Sequence, residues 1–168
     1  MIAILIFLIA IVLANLSILY IGPQMAIWNS FILIGLDISL RDKLHERWHG
    51  KKLKRNIFFL VLTGAIITFL FNTQALWICI GSVLAFSLAL FGDSYVYEKL
   101  FHKSKLEKMN ISNMASALID SGVFVLIALH FLPLKEQIEI ISMMAGAKVL
   151  GGSVWAWVLT RKWNTKNV

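Results

Sequence analysis

Two ionisable residues stand in the middle of long apolar runs. Asp120 lies within ISNMASALIDSGVFVLIALHF, and Lys148 lies within IISMMAGAKVLGGSVWAWVL. A short polar turn from Pro133 to Glu136 joins the runs. Asp120 is 13 residues before Pro133, and Lys148 is 12 residues after Glu136. At about 1.5 Å of rise per helical residue, both stand roughly 18–20 Å from the turn. An antiparallel helical hairpin would therefore set opposite charges at one depth, near the middle of a bilayer. Ionisable groups there are costly and usually mark a substrate or ion pathway. A purely structural ion pair is the plainer alternative. Burying both charges costs on the order of several kcal/mol each, recovered only with good geometry and added hydrogen bonds. An apolar pair would hold two helices at less cost, so the balance favours a functional role.

Each charge sits on a polar stripe. Asn113, Ser116 and Asp120 are three and four residues apart, which puts them on one helical face. Lys148, Gly152 and Trp155 are four and three apart. Gly152 would leave a gap between Lys148 and the Trp155 ring, a slot for a flat ligand with the indole as one wall. Alternatively, Ala147, Gly151 and Gly152 form a small-residue surface for close helix packing. Asn15 and Asn29 are each seven residues from Gly22 and fall at equal depth on the first two apolar runs. Their amides could bond across helices or to a ligand. Asp37, Arg41 and Asp93 mark the opposite ends of the spans as gate or interface residues. Arg41 follows Asp37 by four residues, a helical ion-pair spacing.

The elements that carry these residues are transmembrane helices. The chain has 168 residues, 59% of them hydrophobic, and a mean hydropathy of +0.79. Runs of about 20 apolar residues recur, the length that crosses a hydrocarbon core of roughly 30 Å. The expected fold is all-α, a single transmembrane domain over residues 1–168 with six spans in three hairpins. The spans are expected at about 2–21, 24–40, 56–71, 75–96, 111–132 and 138–159. The first lacks a basic leader and a small-residue cleavage site and reads as a retained helix. Trp28 and Trp77 suit an interfacial belt at the tight-turn end.

Charge sets the orientation. The segment after span two carries seven Lys and Arg, the loop after span four carries four, and the tail carries three. The other turns carry Lys135 alone. An excess of 14 to 1 places both termini in the cytoplasm under the positive-inside rule. The net charge of +7 is thus accounted for by topology and lipid contact, not by nucleic acid. Cys79 is the sole cysteine, which excludes an intrachain disulfide and cysteine-rich metal sites. No HExxH, dinucleotide or phosphate-loop motif is present, and no cofactor or metal is expected. A lining of amide, carboxylate, amine and indole suits binding and passage better than bond making. A carboxylate with amides could read the donor edge of a guanine-like base. A lipid-modifying membrane enzyme is the alternative from another class, but Asp37, Asp42 and Asp93 match no metal-binding spacing.

Four runs carry a resemblance to a known family. They are GLDISLRDKLHERW at 35–48, LFGDSYVYEKL at 90–100, NMASALIDSGVF at 113–124 and AKVLGGSVWAWVL at 147–159. Together they resemble the putative vitamin uptake transporters, also called queuosine-precursor transporters. The most specific parts are S-x2-ID (Ser116, Ile119, Asp120) and K-x2-G (Lys148, Gly151). The resemblance implies a six-helix inner-membrane importer of a queuosine precursor, cyano-deazaguanine or a relative. It also implies that Ser116, Asp120, Lys148 and Asp93 hold motif positions. The family is similar in turn to substrate-binding subunits of energy-coupling vitamin transporters, which leaves that role open.

Overall fold

The computed structural model describes residues 2–36, 53–100 and 105–164. All regular structure among them is helical. Helix α1 is Ile2–Ile21, and α2 (Met25–Asn29) runs directly into a π-helical segment, Ser30–Ile34. Helix α3 is Leu53–Phe71, followed by a 3-10 turn at Thr73–Ala75. Then come α4 (Leu76–Lys99), α5 (Lys105–Ala128) and α6 (Leu134–Asn164). Among the described residues four stretches are long and apolar enough to cross a membrane: Ile4–Ile21, Thr73–Asp93, Ile111–Ala128 and Leu134–Trp155. Met25–Ile34 and Arg55–Phe71 are apolar but shorter.

Helix ends depart from the apolar runs in a consistent way. The expected starts at 56, 111 and 138 move back to Leu53, Lys105 and Leu134, and the expected ends at 96 and 159 move on to Lys99 and Asn164. A charged residue at a membrane surface has no reason to end a helix, since its side chain is hydrated there. The exception is α5, which stops at Ala128 and not at 132. Pro133 disfavours helical backbone at the residue before it. The Gln137 side chain then donates to the Leu132 carbonyl at 2.8 Å, satisfying an acceptor that the turn frees.

The tight turns are built by specific residues. Gly22 has φ of +123°, a conformation that side-chain-bearing residues rarely adopt, and its N–H returns to the Ile18 carbonyl. Pro23 follows with its fixed φ. Asn72 caps the next turn by accepting from the Gln74 N–H at 2.9 Å, and its Nδ2 donates to the Tyr20 hydroxyl at 3.2 Å. The Trp77 and His130 rings meet edge-on at 5.3 Å. These contacts gather the three turns at one end of the bundle.

The packing is inverted relative to a water-soluble protein. Ile9, Leu13, Leu88, Phe91, Leu118 and Leu150 are exposed on helix flanks. Asn15, Asn29, Ser30, Thr68, Ser121 and Lys148 are buried between helices. Apolar surface outward and polar groups inward is the arrangement a hydrocarbon solvent demands. At the turn end, Ile18, Ala26, Ile78, Phe124, Val125 and Met144 form the main core. Phe7, Ile11, Ile57 and Val61 form a second between α1 and α3.

The π segment seats against α6 at glycine contacts. A Cβ on Gly151 would strike the Phe31 carbonyl oxygen, and one on Gly35 would come within 2.6 Å of the Gly151 carbonyl carbon. Gly151 therefore serves close helix packing.

Candidate functional site

The hairpin of α5 and α6 brings its two charges into contact. Lys148 Nζ donates to Asp120 Oδ2 at 2.6 Å and to Ser121 Oγ at 2.9 Å. Lys148 rises from α6 between two successive residues of α5. The partners differ in burial: the lysine side chain is 3% exposed and the aspartate 23%. The ammonium is sealed between helices, while the carboxylate opens to the interior. Asp120 Oδ1 has no protein partner among the described residues.

That interior is a cavity of about 500 Å³ to which every helix contributes. Small-molecule sites typically measure roughly 300–1,000 Å³. Its apolar walls include Phe7 from α1, Phe86 from α4 and Phe124 from α5. Asn15, Asn29, Ser82, Asn113, Ser116 and Asp120 supply polar atoms. Asn29 is held by its neighbours: Nδ2 donates to the Ala14 carbonyl at 2.9 Å and to Ser17 Oγ at 2.8 Å. Asn15 accepts from Ser82 Oγ at 3.1 Å through Oδ1. Ser30 also borders the cavity, but its hydroxyl turns back to the Ala26 carbonyl at 2.8 Å.

Six of the residues singled out from the sequence border this one cavity: Asn15, Asn29, Asn113, Ser116, Asp120 and Lys148. Gly152 borders it too, so the two adjacent glycines divide their work, Gly151 for packing and Gly152 for space. Trp155 is half-buried one turn farther on and is not part of the lining. Phenylalanines supply the aromatic surface expected of its indole. Asp93 is half-buried on α4, also outside the lining. Asp37 and Arg41 lie outside the described residues.

Sequence reasoning passed over Phe7, Phe86, Ser82 and Ser121. The phenylalanines look like any lipid-facing aromatic in an apolar run. Ser82 stands alone, without a stripe to flag it. Ser121 is next to Asp120, about 100° around the helix, so grouping residues by face excluded it.

The arrangement offers one open carboxylate edge, amides, hydroxyls and aromatic walls. Because Lys148 balances Asp120, the pair brings little net charge to the cavity. Apolar walls with a few convergent polar groups are the usual make-up of a small-molecule site. A family model described as putative vitamin uptake transporter matches residues 1–161. No curated protein and no solved structure matches the chain.

Proposed function

We propose that this chain, which belongs to the putative vitamin uptake transporter family, imports a queuosine precursor or a similar deazapurine base across the cell inner membrane. The observation that carries this reading is the open edge of Asp120, set in an aromatic-walled cavity with its charge balanced by Lys148. A guanine-like base presents adjacent N–H donors along one edge, the complement of a carboxylate oxygen. Its faces suit phenylalanine walls, and its neutrality suits a charge-balanced site. Ser116 and Asn113 add polar contacts on the same helix. The partners are the base and the lipid bilayer. In this reading all six helices span the membrane as three hairpins, with both termini cytoplasmic, and no bond is made or broken in the cargo.

The test is a rescue. Cells unable to make deazaguanine should regain queuosine in transfer RNA from nanomolar external precursor when they express this protein. Absence of rescue by well-expressed protein would sink the reading. In the same cells Asp120→Asn should abolish uptake while the protein still inserts, and unimpaired uptake would reduce Asp120 to packing.

A further inference from the structure

The polar groups inside the bundle are nearly all accounted for within the protein. Thr68 donates to the Gly64 carbonyl at 2.8 Å, and Ser30 to Ala26. Ser17 donates to the Ala14 carbonyl at 3.0 Å and accepts from Asn29. Ser121 accepts from Lys148. Among the described residues one buried side-chain polar atom has no partner, the amide nitrogen of Asn15.

Asn15 is 2% exposed, and it borders the cavity. Ser82 Oγ, itself on the cavity wall, donates to Oδ1 and leaves Nδ2 as the free end. A buried N–H without an acceptor is among the costlier omissions in a fold. A leucine or alanine here would avoid that cost. An amide whose oxygen is held and whose nitrogen is unpaired, on a residue that borders a cavity, is a candidate donor to a ligand.

We infer that Asn15 is the second pole of the site, its Nδ2 donating to an acceptor atom on a flat neutral ligand whose opposite edge presents N–H groups to Asp120. This rests on reading the cavity as the site of a guanine-like base, and it specifies what lies at the other end of that base. Asn15 is seven residues from Gly22, about 10 Å below the turns. Asp120 is roughly 9 Å deeper by the same rise per residue. A bicyclic base bridges that interval when its amine edge faces Asp120 and an acceptor projects from its five-membered ring. A nitrile at that ring would supply such an acceptor. Asn29, with its amide nitrogen already committed to Ala14 and Ser17, is excluded as an equivalent donor.

The test pairs two ligands with the full-length protein in lipid nanodiscs. The ligands are 7-cyano-7-deazaguanine and 7-deazaguanine, which differ only in the nitrile acceptor. Wild type should bind the nitrile-bearing base roughly tenfold more tightly, the scale of one net hydrogen bond. Asn15→Leu and Asn15→Ala should each erase that preference and bind the two bases alike, closing a ligand–protein cycle. Without ligand, Asn15→Leu should melt at a higher temperature than wild type, because an orphaned amide is gone and the Ser82 hydroxyl can turn to its own helix. A retained preference in the variants, or a lowered melting temperature of free Asn15→Leu, overturns the inference. Should wild type bind neither base, the substrate reading fails separately. The melting temperature then decides alone, since a structural amide stabilises the free protein and a ligand-directed one does not.

Discussion

At the scale of single residues, the asymmetry between Lys148 and Asp120 makes their substitutions unequal. Lys148 is 3% exposed and depends on Asp120 and Ser121, whereas Asp120 is 23% exposed and borders a cavity. Asp120→Leu strands a sealed ammonium, a change of the kind that costs about 3–5 kcal/mol. Lys148→Met leaves a carboxylate that can still reach polar space in the cavity, so it should cost less. Combining the two removes both charges and should recover most of the lost stability, as replacement of buried pairs by apolar residues often does. Uptake should nevertheless stay absent in the combined variant, because the open carboxylate edge is gone. Thermal unfolding of the purified variants beside uptake of labelled base separates these quantities. Uptake that returns with stability would make the pair a mere fastener. The contact was legible in the sequence because depth along a hairpin follows from counting residues from the turn. The third member, Ser121, was not, since a long lysine can bridge neighbouring helical positions that periodicity assigns to different faces.

At the scale of elements, the π segment seats on α6 through a close approach that glycines permit. Backbone meets backbone at Phe31, Gly35 and Gly151, with no flexible side chain to yield. Gly151→Ala should therefore push α6 away from the π segment, lowering thermal stability and disturbing the cavity face formed by Lys148, Val149 and Gly152. Gly146 lies on the same helix with open space where its Cβ would be. Gly146→Ala should be neutral or stabilising by up to about 1 kcal/mol, the propensity difference between the residues. Melting curves of the two variants check both, and equal effects would place the tight approach elsewhere. The small-residue stripe was visible beforehand, but which glycine packs and which leaves space depends on where the neighbouring helix lies. The π segment had no sequence signal at all. Asn29 and Ser30 read as ordinary helix there, and only packing reveals the wider turn. Several helices run past their apolar stretches, because hydration lets a helix continue into charged residues.

At the scale of the whole molecule, the three tight turns sit at one end, and Lys99 closes α4 at its opposite end, where a basic stretch of sequence follows. In the proposed topology, with both termini cytoplasmic, the turns face away from the cytoplasm. A single native thiol makes this testable by labelling. Cys79 is buried and its Sγ contacts the Ala65 carbonyl at 3.3 Å, so it should react poorly with a bulky, impermeant maleimide. Gln74 is exposed in the turn between α3 and α4, and Glu98 is exposed near the far end of α4. In intact spheroplasts Gln74→Cys should label and Glu98→Cys should not. After permeabilisation both should label, with wild type remaining the low background. The inverse pattern would turn the protein over in the membrane and put the Asn15 end of the cavity toward the cytoplasm. Labelling of both positions in intact spheroplasts would mean that α4 does not cross. That would remove Phe86 and Ser82, and with them the fixed amide of Asn15, from a membrane-embedded site.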